Sequence, residues 1–222
     1  MEVLVRGCVV FDLDGTLVDS APVIAQILNA MLTDRGSPRR LTVAQTQPLV
    51  IGGGRAMIPA VFGEGAGDVD TILAEFRERY LATPMPPDSL YPGARAALES
   101  FTARGYGLAV WSNKLQPLCD KTIGDLGLGS LFGAVVGTGP DMPTKPDPRG
   151  LDAAIAGAGG SRATCCYVGD SETDHEAATV AGVPMVMMTH GYGRSRPPGV
   201  PTADSFAELP AVVDILMPAR AA

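Results

Sequence analysis

Apolar and polar positions along this chain follow two periods that trade places. Short continuous apolar runs, at 9–11, 107–111, 134–136, 164–168 and 183–188, have the length and composition of strands buried on both faces. Stretches of helical period separate and follow them, at 93–104, 116–126, 148–158, 172–181 and 206–216. Gly127 and Gly182 read as stops, Asp147 as a cap and Pro148 as a first-turn residue. Such alternation predicts an α/β fold, a doubly wound parallel sheet. One region breaks it. Ser20 reads as an N-cap with Pro22 in the first turn, the stripe Val23, Ile24, Ile27, Leu28 and Met31 follows, and Gly36 ends it. A short helical piece at 43–47 is expected to stop at Pro48, and helices are expected at 55–62 and 68–82. Thr83-Pro84-Met85-Pro86-Pro87-Asp88 is a stiff connection. The expected organisation is an all-helical insertion at 19–88, set into a core made of 1–18 and 89–222, with a frayed tail at 218–222.

Composition narrows the class. Of 222 residues, 46% are hydrophobic and 18% charged, as in a folded globule. A net charge of −7 argues against a nucleic-acid partner. No apolar run is long enough for a membrane span. Asp12 and Asp14 interrupt what would otherwise be an apolar leader, so no signal peptide is expected. Cys8, Cys119, Cys165 and Cys166 form no C-x-x-C pair, which points to free thiols, a reducing cytoplasm and no metal bound through sulfur. A monomer or homodimer fits these numbers equally.

The first strand then ends in an unusual way. Asp12 and Asp14 stand at i and i+2, on one side of an extended chain, with Gly15 next. Two like charges at the end of a buried strand oppose folding unless something neutralises them, and a divalent cation is the simplest candidate. Polar residues also follow three further strands: Ser112 and Asn113, Lys145, and the pair Asp170 and Asp174. In a doubly wound sheet, ligands bind outside the carboxyl ends of the strands.

Asp12-Leu13-Asp14-Gly15-Thr16, then Ser112, then Lys145-Pro146, then Gly169-Asp170-Ser171-Glu172-Thr173-Asp174 resemble the four ordered motifs of the haloacid dehalogenase-like phosphohydrolases. The resemblance spans the chain, and the helical insertion matches the family's small cap domain. Asp14 to Ser20, Tyr91-Pro92-Gly93, Lys145 to Pro148 and the segment Ala203 to Pro210 bring it closest to the phosphoglycolate phosphatase branch. It implies a Mg²⁺-dependent phosphatase of a small phosphorylated metabolite. Asp12 would be the nucleophile and Asp14 the acid and base. Mg²⁺ would be held by Asp12, Asp170 and the backbone carbonyl of Asp14, with Lys145 and Ser112 binding the phosphoryl group. Asp174 would orient Lys145 or a metal-bound water. Thr16 and Asn113, with Gly53 and Arg55 of the glycine-rich turn, would contact substrate.

Alternatives remain at this level. A β-phosphoglucomutase-like phosphotransferase, or another sugar-phosphate or pyrophosphate phosphatase, shares most of these motifs. A receiver-type phospho-aspartate signalling domain uses similar groups, but is shorter and lacks a helical insertion. Asp14 argues against dehalogenation, since a leaving halide needs no proton. The absence of lysine from 19–88 argues against a Schiff base formed by the insertion. Gly52-Gly53-Gly54-Arg55 reads equally as an ordinary turn, Ser112 also as a helix cap, and His175, His190 and Arg194 carry weak signals.

Overall fold

The computed structural model describes residues 6–63, 65 and 67–218. All but the first residue of the expected tail lies outside them. Among the described residues, six parallel strands run in the order β3-β2-β1-β4-β5-β6. They are β1 (Gly7–Phe11), β2 (Tyr106–Leu115), β3 (Ala134–Thr138), β4 (Cys165–Gly169), β5 (Met185–Met188) and β6 (Thr202–Ala203). Helices α5 (Ala94–Ala103), α6 (Gln116–Asp125), α7 (Arg149–Gly157), α8 (Glu172–Ala181) and α9 (Leu209–Leu216) cover both faces. Strand residues alternate between two cores, as the period of two requires. Val9, Phe11, Leu108, Val110 and Val168 face α5, α6 and α9, whereas Cys8, Val10, Trp111 and Tyr167 face α7 and α8. The order reverses at β1, which places its carboxyl end at the topological switch point.

Between β1 and β2 run α1 (Ala21–Asp34), α2 (Val43–Ile51), α3 (Gly54–Phe62) and α4 (Val69–Ala82). The chain leaves and returns on adjacent backbones: Asp19 N–H donates to the Ser89 carbonyl at 2.7 Å and Tyr91 N–H to that of Leu17 at 3.0 Å. The helices continue the apolar core of one sheet face, and Tyr80 OH meets Thr122 Oγ1 at 2.9 Å between α4 and α6. No helix among the described residues is long and apolar enough to cross a membrane. All four cysteines are free and buried.

Several boundaries move, each for a physical reason. Pro48 lies inside α2 and does not end it. A capping box at Thr42 and Gln45 starts the helix, and Leu49 and Val50, beyond the proline, pack on the core, so the one lost backbone bond is offset. Ser20 occupies the N-cap position of α1 but makes no capping bond; Ala21 N–H donates instead to Tyr192 OH at 3.0 Å. β2 runs to Leu115 because its last residues line the site, where the faces need not be apolar. α7 begins after Pro148, with Asp147 Oδ1 accepting from Arg149 N–H at 3.0 Å. α9 starts at Leu209, later than expected, because β6 and the fully buried Phe206 occupy the chain before it.

Candidate active site

β1 delivers Asp12 to the switch point, where its N–H still pairs with the Val168 carbonyl of β4 at 2.8 Å. Asp12 Oδ1 accepts from Lys145 Nζ at 2.6 Å, and the same ammonium donates to Asp174 Oδ1 at 2.8 Å. The loop carrying Lys145 is fixed by Asn113, whose Oδ1 accepts from Lys145 N–H at 2.7 Å. Asp174 is the third helical residue of α8, and with Ser171 it closes a capping box. Its Oδ2 accepts from the N–H groups of Asp170 and Ser171 and from Ser171 Oγ, while Oδ1 also takes Tyr167 OH at 2.8 Å. Burial opposes its charge, but Lys145 and these bonds outweigh it and hold the carboxyl below its usual range.

Asp12 and Asp170 are in the opposite condition. Burial first, then the charge of Asp174, pushes Asp12 up to about 7 despite Lys145. Burial, with Asp174 and Asp12 nearby, pushes Asp170 up to about 8. Oxygens of Asp12, Asp170 and Asp174 all lie within 4.8 Å of one another. Three carboxylates around one ammonium leave a charge deficit. With the oxygens of Asp174 already engaged, Asp12 and Asp170 hold the open lone pairs. That donor set fits a hard divalent cation, bound through oxygen. Asp170 is positioned for it: Oδ1 accepts from Thr16 Oγ1 at 2.9 Å and Oδ2 from Tyr192 N–H at 2.6 Å. Backbone packs tightly around it as well, since a Cβ on Gly15 or Gly191 would come within 2.5 or 2.2 Å of its side chain.

Asp14 lines the same cavity but has its own partner. Lys114 Nζ reaches its two oxygens at 2.6 and 2.7 Å. The ammonium also sits 4.6 Å from the centroid of the Tyr80 ring of α4. The cavity measures about 460 Å³. Asp12, Asp14, Ser112, Asn113, Lys145 and Asp170 line its sheet side, and Leu49, Gly53, Arg55, Met57 and Phe76 its helical side.

The other expected residues separate on inspection. Ser112 is buried at the cavity wall, and its Oγ accepts from Lys114 N–H at 3.4 Å. Gly53 adopts φ 75° just before α3, a conformation glycine permits, and lines the cavity. Arg55 lines it too, but its guanidinium is paired with Asp70 and largely exposed. Thr16 does not line the cavity; it is fully buried with its hydroxyl on Asp170, so it orients a carboxylate instead of meeting a ligand. His190 is also outside: its ring lies 4.0 Å from that of Tyr91, and Nε2 meets the Thr16 carbonyl at 3.1 Å. Arg194 N–H donates to Glu172, away from the cavity.

Lys114, Tyr167 and Tyr192 were not singled out from the sequence. Lys114 had a signal, since it stands at i+2 from Ser112 on a strand and so shares its side. Tyr192 is flanked by Gly191 and Gly193, a close-approach pattern. Tyr167 lies within an apolar strand and had none.

Residues 9–188 match the family model described as haloacid dehalogenase-like hydrolase. A phosphoglycolate phosphatase of Xanthomonas campestris pv. campestris is 36% identical over 185 residues, 83% of each chain. One from Cereibacter sphaeroides is 33% identical over 214 residues, 94% of this chain and 96% of that one. Among solved structures, CbbY from Rhodobacter sphaeroides in complex with phosphate superposes with TM-score 0.78 at 22% identity, covering 95% and 100% of the two chains. A predicted phosphoglycolate phosphatase from Haemophilus somnus gives 0.76 at 24% identity, covering 95% and 99%. The chain belongs to the haloacid dehalogenase-like hydrolases, among relatives named phosphoglycolate phosphatases.

Proposed function

We propose that the protein is a Mg²⁺-dependent phosphatase of a small phosphomonoester, with 2-phosphoglycolate the first candidate, and that Asp12 carries the phosphoryl group between two half-reactions. The observation that carries this reading is the contact of Asp12 with Lys145 at 2.6 Å beside Asp170, on the wall of a cavity between the sheet and the inserted helices. The names of the relatives support the substrate class.

Repulsion is the obstacle to be overcome. A carboxylate about 4 Å from a phosphate dianion is opposed by roughly 8 kcal/mol at an effective dielectric near 20, some six decades of rate. Held by Asp12, Asp170 and the backbone carbonyl of Asp14, Mg²⁺ would supply positive charge at the transferring oxygens. Lys145 screens Asp12 and would take a phosphoryl oxygen, with the Ser112 hydroxyl and the backbone N–H groups at Ser112 and Asn113 binding the others. Asp14 would give a proton to the leaving alkoxide and then accept one from the water that opens the acyl phosphate. Asp174 keeps Lys145 in place. The helices at 19–88 form the cap, closing over the cavity to exclude bulk water, with Gly53 and Arg55 at its rim.

Asp12→Asn is expected to lower phosphate release from 2-phosphoglycolate by roughly four decades or more, and chelation to abolish it reversibly. Activity sustained under either condition would falsify the mechanism.

A further inference from the structure

The phosphatase reading leaves Lys114 without a task. Neutralising Asp14 is one explanation, yet the position of Lys114 suits a second. Its side chain is only 7% exposed, but it lines the cavity. An ammonium has three N–H donors, more than the one Asp14 carboxylate can use. Tyr80 holds it from the helical side and is itself tied to Thr122.

The chemistry of Asp14 then locates Lys114 relative to substrate. An acid that protonates the leaving oxygen must touch that oxygen. A cation on both oxygens of the acid therefore lies beside the carbon that bears the leaving oxygen. We propose that Lys114 binds an anionic group on that neighbouring carbon and makes the enzyme selective for phosphomonoesters with a carboxylate next to the ester carbon. The assignment rests on the phosphatase reading and deepens it. Arg55, at the exposed rim and paired with Asp70, is less suited to so short a substrate.

The test needs no mutation at first. Three esters that share a two-carbon skeleton and differ in tail charge are compared with Mg²⁺ present: 2-phosphoglycolate, ethyl phosphate and 2-aminoethyl phosphate. kcat/KM is expected to fall in that order, by roughly ten- to hundredfold between the first two. Lys114→Met should flatten the ranking, chiefly through KM for 2-phosphoglycolate, and Lys114→Arg should restore part of it. A lysine that only neutralises Asp14 predicts an equal loss for all three esters in Lys114→Met, and that result overturns the assignment. So does a wild-type enzyme that hydrolyses all three alike, which leaves the phosphatase reading intact. Should none release phosphate, 2-phosphoglycolate fails as the substrate and takes this assignment with it. Where Lys114→Met does not fold, the wild-type series and Lys114→Arg decide: the ranking by tail charge supports the assignment, and its absence overturns it.

Discussion

Two ion clusters share one cavity wall and differ in charge balance. Around Asp12, three carboxylates surround a single ammonium, Lys145, and two of the acids are driven well above their usual range. A few residues away, Asp14 and Lys114 pair one to one. Both clusters are buried, so burial alone does not set their behaviour. The difference is the deficit of positive charge. The first cluster is short of positive charge, whereas the second is balanced as it stands. One cavity thus places a half short of positive charge next to a self-neutralised half, from carboxylates only two positions apart in sequence.

Substitutions can break that contrast. Lys145→Met removes the only ammonium of the first cluster and leaves buried carboxylates unpaired. It is expected to cost roughly 3–5 kcal/mol of stability, read from the urea midpoint, and to abolish phosphate release at any Mg²⁺ concentration. Thr16→Val is milder. It removes the hydroxyl that orients Asp170 and is expected to weaken Mg²⁺ activation roughly ten- to hundredfold, with folding retained. An unchanged Mg²⁺ requirement in this variant would place Asp170 outside the metal site.

The smallest effect is the pH dependence of metal-free stability. Asp12 at about 7 and Asp170 at about 8 hold protons in the folded state that the unfolded chain has released above its ordinary carboxyl range. The folded state therefore binds more protons between about pH 4 and 8, and stability falls as pH rises through that window. Mg²⁺ bound there would replace those protons, so it should raise the melting temperature more at pH 8 than at pH 6. Equal Mg²⁺ shifts at both values would contradict the charge deficit.

The sheet was legible because strands buried on both faces leave uninterrupted apolar runs, as at Val9-Val10-Phe11 and 107–111. Legibility ended where the strands become site. β2 runs on through Ser112, Asn113 and Lys114 with no apolar signal, because those residues look into a cavity. Pro48 misled in the helices, since local propensity was outweighed by packing from Leu49 and Val50. Among the charged residues, Asp12, Asp170, Asp174 and Lys145 converge as their spacing suggested, because each follows a parallel strand to the same rim. Pairings across the chain were not readable. Thr16 with Asp170 joins residues 154 positions apart, and Lys114 with Asp14 joins residues 100 apart.

Calorimetric titration of Mg²⁺ into the metal-free protein and into Asp170→Asn, at pH 8 without substrate, tests the central claim most directly. The account predicts one Mg²⁺ per chain for the unaltered protein and no measurable binding for Asp170→Asn, which should be at least as stable as its parent when metal-free. Equal Mg²⁺ affinity in the two proteins would contradict it.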